Sequence, residues 1–495
     1  MPRASEFGAR IARSAKLLRI LTGVLERHCA DPERCLQIAE VSGWIAWHCH
    51  AGTFTLPAIE TLLQTHSLLA DVDRESGDDA KAVAGRTLHV LTEVYPVGGH
   101  TRLAKRWMDL MDEDAHAAVL VRQRQPFEAT WLLPENRQIP LINLEEKKLN
   151  RRGKVARLTT LFNAARRVIL HIHPDDACAV AAAHRTPEAD IRFLNHADHV
   201  AWLGAGLPGV LLNLRQRGTR FAERRRGFQA ASCDVVPLPI TLPHRVDRNA
   251  ARAHFGLSSQ DTLVLTIASA YKFNAVGERS LLDPLDQFLG RQDVKLMVVG
   301  ATVKHPLFAR LAERHPGQIL CMGNVPAPDP HRAAADIYLD SYPFASITSM
   351  LESAALGTPV VAYQPDHDEL EILYSECEWL PEAQYSARDP EQLVNLLNAL
   401  VDDVQWRQDL GLQSLDGMKM HHPESWRASM YAHLARTFPR QRCLDTHGQF
   451  EDGLMDRVLA GLMGDIRDHV NLKGRLGLDR IGEIEVNFNR LFGRL

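Results

Sequence analysis

Three polar residues on one apolar stretch are the first candidates for chemistry. In DSYPFASITSMLESAALGTPVVAY (Asp340 to Tyr363), Thr348 and Ser349 lie four and three residues before Glu352. On a helix that spacing places all three on one face. Ser346 is an N-cap residue, apolar residues recur at Ile347, Met350, Leu351, Ala354 and Ala355, and Gly357-Thr358-Pro359 ends the helix before the strand Val360 to Tyr363. A helix N-terminus offers unpaired N–H groups and partial positive charge, which suit a phosphate. Hydroxyls at Thr348 and Ser349 add donors for a diphosphate, and Glu352, one turn deeper, suits a ribose diol. A capped amphipathic helix with solvated polar residues is the plain alternative.

Histidines supply the second set. EVYPVGGHTR puts Gly98, Gly99 and His100 between a strand and a helix, where glycine lets backbone approach a ligand closely. HIHPDD carries His171, His173, Asp175 and Asp176 at a strand end, and FLNHADHVAWLG carries His196, Asp198 and His199. A histidine beside a carboxylate is the pairing that tunes a general base near neutral pH. A metal is disfavoured, since neither cluster has helical His-x3-His spacing; buried structural histidines are the other reading.

The elements that must position these groups alternate. Helical spacing runs through Leu17 to Leu25, Cys35 to Val41 and Ile59 to Leu69, and Asp73 to Gly85 reads as a linker. At Thr87 the pattern becomes strand, glycine-bearing loop and helix, the opening of a doubly wound α/β domain. Further strands are expected at Ala117 to Val121, Arg167 to Ile172 and Gly209 to Leu214. Around Pro237 to Gly256 prolines end the first domain and a short helix leads into the second, which marks a hinge. A second α/β domain opens with Thr262 to Ala268 and Lys272, followed by strands at Val294 to Gly300 and Ile319 to Val325. Residues 388 to 436 read as helices, as does the tail from Gly448. The expected division is 1–85, 86–245, 246–390 and 391–495.

AADIYLDSYPF followed by TSMLESAALGTP (Ala335 to Pro359) resembles the donor-site segment of GT-B glycosyltransferases. It is most similar to the branch of protein O-GlcNAc transferases and bacterial protein glucosyltransferases. The resemblance implies two Rossmann-like domains facing a cleft, with helical N- and C-terminal additions. It also implies a donor site made by Ser346, Thr348, Ser349 and Glu352, by Lys272 on the diphosphate, and by Asn324 and Val325 near the base. It assigns the loop of Gly98 and Gly99 to sugar and acceptor, with His100, or His196, Asp198 and His199, as catalytic candidates. The family's Gly-His before the hydroxyls is here Ser346-Ile347. Phe344 stands where many retaining members carry a second glutamate, which points to inversion. The implied activity is sugar transfer from a nucleotide-diphospho-sugar, UDP-linked by the resemblance, to a protein, glycan or lipid-linked acceptor, with no metal and no cofactor beyond the co-substrate. A nucleotide-sugar epimerase on the same fold and a non-catalytic partner of another glycosyltransferase remain open alternatives.

Composition sets outer bounds. At 495 residues the chain exceeds a single core. With 45% hydrophobic and 24% charged residues and a formal charge of −4, it has no global attraction for nucleic acid, and its basic runs lack interleaved aromatics. Eight scattered cysteines without a CxxC pair fit a reducing cytoplasm. No apolar run is long enough to span a membrane; for the amphipathic Ile11 to Leu25 segment, internal packing and peripheral membrane contact both stay open. Two basic runs, Lys147 to Arg167 and Arg215 to Arg226, are either solvated faces or a patch for an anionic acceptor.

Overall fold

In the computed structural model the chain forms two compact units. The structure describes residues 4–27, 30–65, 77–95, 99–135, 137–240, 244, 246–377, 379–438 and 451–466. The chain leaves the first unit after Leu238, builds the second from Pro239, and returns to the first within helix Pro423–Ala435.

The first unit holds strands β1 (Thr87–Leu91), β2 (His116–Leu120), β3 (Leu141–Asn143), β4 (Arg167–His171), β5 (Ile191–Asn195), β6 (Val210–Asn213) and β7 (Cys233–Val235). They make a seven-stranded parallel sheet in the order β3-β2-β1-β4-β5-β6-β7. Strands β3, β5 and β7 had no periodic signal of their own, being short or read as a histidine cluster. β1 and β2 are buried along their whole length, as expected of parallel strands covered on both faces. Leu88, Val90, Val168 and Leu170 share a core with Leu18, Leu21, Leu36, Ile38 and Ile45 of the N-terminal helices. On the other face Leu91, Ala118 and Leu120 pack with Ala104 and Met108 of helix Gly99–Leu110.

The N-terminal helices therefore complete this unit's core. The apolar face of Ala4–Arg27 is buried against helices Pro32–His48 and Leu454–Leu462, so internal packing claims the surface that a membrane would need. Among the described residues no helix is long and apolar enough to cross a membrane. Where a linker was expected, Asp78–Val83 forms a helix against Arg151–Ala164. Its first turn carries Asp78 and Asp79, which complement the helix N-terminus.

The second unit holds β8 (Thr262–Ile267), β9 (Val294–Val299), β10 (Ile319–Gly323), β11 (Ile337–Leu339), β12 (Val360–Tyr363) and β13 (Ser386–Ala387). These form a six-stranded parallel sheet in the order β10-β9-β8-β11-β12-β13. Helices Pro390–Asp402 and Val404–Gly417 belong to this unit, the former burying Leu393, Leu397 and Leu400 on its inner face.

Candidate active site

Each sheet has one place where the strand order reverses. In the second unit it lies between β8 and β11, because β8, β9 and β10 run outward one way and β11, β12 and β13 the other. Ligands of open α/β sheets bind at the carboxyl ends of strands at such a switch point. Lys272 follows β8, and the segment from Asp340 to Ser346 follows β11, so the two lips of this switch point carry the expected donor residues. Lys272 Nζ donates to the Ala345 carbonyl at 2.6 Å and sits 4.4 Å from the Phe344 ring centroid. The lysine thus ties one lip to the other.

Helix Ile347–Ala354 starts as the spacing predicts, but its N-terminus is held differently. Ser346 is the N-cap, yet its hydroxyl donates to Ser349 Oγ at 3.4 Å and caps no backbone N–H. Asp340 holds this end instead. One of its oxygens accepts the N–H groups of Ser341 and Ser346, each at 2.8 Å, and the other accepts the Ser375 hydroxyl at 2.5 Å. Burial raises the Asp340 pKa, while Ser375, the Ser346 N–H and Lys272 oppose that rise. Asp340 escaped sequence reading because a lone aspartate at a strand end has many uses; its partners lie one residue, six residues and 35 residues away. Thr348 and Ser349 are half-buried at the first turn. Beyond Ala354 the chain turns through Gly357, whose φ of +79° is a left-handed conformation that favours glycine.

Glu352 lies one turn deeper and half-buried, with Oε2 accepting from the buried Arg332 guanidinium at 2.6 Å. This pairing was not visible in sequence, since Arg332 belongs to the preceding helix Asp329–Ala334. It fixes the rotamer of Glu352. Asn324 is exposed and Val325 half-buried, just past the edge strand β10.

In the first unit the order reverses between β1 and β4. Gly99 and His100 open the helix that follows β1, and His171 and His173 end and follow β4. Gly98 lies outside the described residues. A Cβ built on Gly99 would meet nothing within 4 Å, so packing imposes no glycine there. The rings of His100 and His196 stack with centroids 5.6 Å apart, and His173 lies edge-on to His100 at 5.0 Å and parallel to Tyr95 at 5.9 Å. The two loops read separately in sequence thus meet in one histidine cluster.

Hydrogen bonds assign the free lone pairs of this pair. His100 Nε2 donates to the Glu93 carbonyl at 2.8 Å, leaving Nδ1 as the basic nitrogen; His196 Nδ1 points at the Leu194 carbonyl at 3.4 Å. Burial lowers the pKa of both, and His196 is pushed down to about 3 by burial and by neighbouring His100. Both rings are therefore neutral near pH 7, the state in which imidazole accepts a proton.

The carboxylates first grouped with these histidines do other work. Burial works to raise the Asp198 pKa, but Arg215 at 2.8 Å and His199 at 3.5 Å outweigh it and hold this carboxyl well below its usual range. Asp198 is therefore an ion-pair anchor. Asp175 holds Arg122, and Asp176 accepts from Thr92 and caps helix Ala177–His184. Much of the basic runs is likewise engaged internally: Lys147, Arg151, Lys154, Arg167 and Arg225 form ion pairs, and buried Arg226 donates to the carbonyls of Phe54, Asp198 and Val200, while Lys148, Arg220 and Arg224 are exposed. Several of these partners come from distant sequence, which a charge run read alone does not show. Among the described residues no group of three or more His, Cys, Asp or Glu has the arrangement of a metal site.

No protein-family profile and no curated protein sequence matches this chain. Solved structures do. The glycosyltransferase from Rickettsia africae ESF-5 superposes with a TM-score of 0.55 at 11% identity, covering 71% of this chain and 98% of that one. Anabaena HepE in complex with UDP-glucose gives 0.54 at 13% identity, over 70% and 99%. HepE with UDP and glucose gives 0.52 at 13%, over 71% and 100%. These likenesses show the fold: the chain has the two-sheet GT-B architecture, with helical parts at its N- and C-terminal ends.

Proposed function

We propose that this chain is a glycosyltransferase that moves a sugar from a UDP-linked donor to the hydroxyl of a glycan, lipid-linked or protein acceptor, with inversion and without a metal. The observation that carries the reading is the placement of Lys272 and the Thr348-Ser349 helix start on the two lips of one switch point. UDP-glucose in HepE, a protein of the same fold, supports the nucleotide. The donor-segment resemblance supports the O-GlcNAc and protein-glucosyltransferase branch.

In this mechanism the donor diphosphate lies at the N-terminus of helix Ile347–Ala354. Backbone N–H groups, the hydroxyls of Thr348 and Ser349, and Lys272 offset the charge that grows on it as the anomeric C–O bond breaks. Glu352, held by Arg332, accepts from the ribose. Asn324 and Val325 lie towards the base. His100 Nδ1 or the neutral His196 takes the proton of the acceptor hydroxyl, whose oxygen attacks the anomeric carbon from the opposite side. Gly99 leaves room beside them. Asp198 and His199 position the loop.

The test is release of free nucleotide from a panel of nucleotide sugars by wild type and Glu352→Ala. Donor-selective release that the substitution lowers by roughly 10-fold or more is expected, matching loss of a charge-assisted hydrogen bond of about 1.5–3 kcal/mol. Absence of both release and nucleotide binding would overturn the reading. A sugar product formed without acceptor would reassign the chain as an epimerase.

A further inference from the structure

Three histidines of the first unit form a continuous buried file beneath helix Gly99–Leu110. His116 Nε2 bonds to the Met111 carbonyl at 2.8 Å, His116 Nδ1 lies 3.1 Å from His89 Nε2, and His89 Nδ1 lies 3.0 Å from His171 Nε2. All three side chains are essentially inaccessible. Strand register explains the line: Thr87 of β1 faces His116 of β2, and Leu91 of β1 faces His171 of β4. The rings therefore climb diagonally over three strands, from the amino end of β2 to the carboxyl end of β4. Trp107 of the covering helix touches the file, its ring edge-on to His89 at 6.0 Å and to His171 at 5.8 Å.

The carbonyl at one end dictates every proton in the file. A carbonyl only accepts, so His116 carries its proton on Nε2 and its Nδ1 is bare. That lone pair needs a donor, so His89 is also protonated on Nε2, and by the same step so is His171. The far end is then a bare Nδ1 on His171. This atom is buried and has no hydrogen-bond partner among the described residues.

We propose that the file is a proton relay from the histidine cluster at the strand ends to His116. This rests on the glycosyltransferase reading for the source of the proton. The acceptor hydroxyl loses its proton to His100 or His196, both near enough to bear on the charge of His171, and a bridging water carries it on to the unpartnered Nδ1 of His171. The Nε2 proton of His171 moves to His89 Nδ1, and the Nε2 proton of His89 moves to His116 Nδ1. His116 ends as imidazolium, still bonded to Met111, and His171 ends as the Nδ1–H tautomer. Each internal hydrogen bond survives with its direction reversed. On product release the proton returns by the same path to His100 or His196 and leaves to water. His89 and His116 are positioning residues in this scheme.

Two features give the relay its direction. Met111 immediately follows helix Gly99–Leu110, so its carbonyl belongs to the negative end of the helix dipole, while the cluster lies by the positive end. A proton is better placed at His116 than at His171. Among charged neighbours, His171 faces His196 and His100, and His89 faces His116 and His171, whereas His116 has the carboxylate of Asp114, against which Arg137 and Arg166 work. Burial lowers all three histidines, and the Met111 carbonyl and Asp114 resist that fall at His116 alone.

Histidine-selective 15N spectra of the full-length protein test the file without reference to activity. Near neutral pH the ring protons of His89, His116 and His171 should all sit on Nε2. On acidification His116 should charge first, and His89 and His171 should switch to Nδ1–H. A neutral-pH Nδ1–H tautomer at His89 or His171, or charging of His171 before His116, would overturn the relay. The second arm is kinetic. His89→Gln keeps a hydrogen-bonding side chain that cannot relay a proton, and should lower kcat by roughly 10²-fold with UDP affinity and donor KM unchanged. Because a His116 already charged cannot take the relayed proton, wild-type kcat should fall on acidification, and His116→Gln, with a lowered kcat, should lack that acid limb. An unchanged kcat in His89→Gln, or an acid limb retained in His116→Gln, would also overturn the relay. If the wild-type protein transfers no sugar from any donor, the functional reading falls and the spectra alone judge the file.

Discussion

At the residue scale the buried histidines of the first unit are held neutral. His89, His171 and His173 are lowered well below their ordinary value of 6.5, burial being the leading cause in each, and His100, His116 and His196 are lowered too. The unfolded chain takes up a proton at each site near pH 6.5, whereas the folded chain resists until its own lower value. Between those values the unfolded state binds more protons, so stability rises with pH and is lost as pH falls below about 6.5. Each histidine that stays neutral contributes a slope of about 1.4 kcal/mol per pH unit in that window. Urea midpoints measured at about pH 7 and about pH 5 should therefore fall steeply in wild type and less steeply in His89→Gln. Equal slopes in the two proteins would contradict this account. The histidines were visible in sequence as HIHPDD and FLNHADH, but His89 and His116 drew no notice, because isolated histidines in strands carry no spacing signal.

At the element scale the decisive piece is the loop between β11 and helix Ile347–Ala354. Ser346, Thr348 and Ser349 are weak helix formers at its start, so the geometry of this N-terminus depends on Asp340. Asp340→Ala leaves the N–H groups of Ser341 and Ser346 without their shared acceptor, and Ser341 is buried. The expected costs are about 1–3 kcal/mol of stability and roughly 10-fold weaker UDP binding, or about 1.4 kcal/mol. Calorimetric titration with UDP, beside a denaturant melt, checks both. Intact UDP affinity in a folded variant would show that the loop does not shape the proposed phosphate site. Ile347, Met350, Leu351 and the Gly357 stop could be read directly, since helical period and chain reversal are local properties. Asp340, Arg332 and Lys272 Nζ on Ala345 could not, because each partner lies on another element.

At the scale of the whole molecule the chain is two units, each with its own parallel sheet and core. A ligand that binds only one should stabilise that one first. Saturating UDP at 100 times its Kd adds about 2.7 kcal/mol to the state that binds it. Hydrogen exchange should slow most in residues 262–272 and 340–357, with little change in β1, β4 and β5. Equal protection of both sheets would place the nucleotide elsewhere.

Composition and alternation were enough to establish an α/β chain too large for one core, and a strand-loop-helix rhythm from Thr87 and again from Thr262. These follow from side-chain period and burial along a short stretch, which a linear reading contains in full. The order of strands in each sheet, the helix in place of a linker at Asp78–Val83, and the internal pairing of the basic runs depended on residues far apart in the chain. So did the meeting of His100 with His196 and the file from Met111 to His171. Parallel pairing joins strands through long crossovers, and which side chains then share a face is set by register, a quantity that exists only once the sheet has formed.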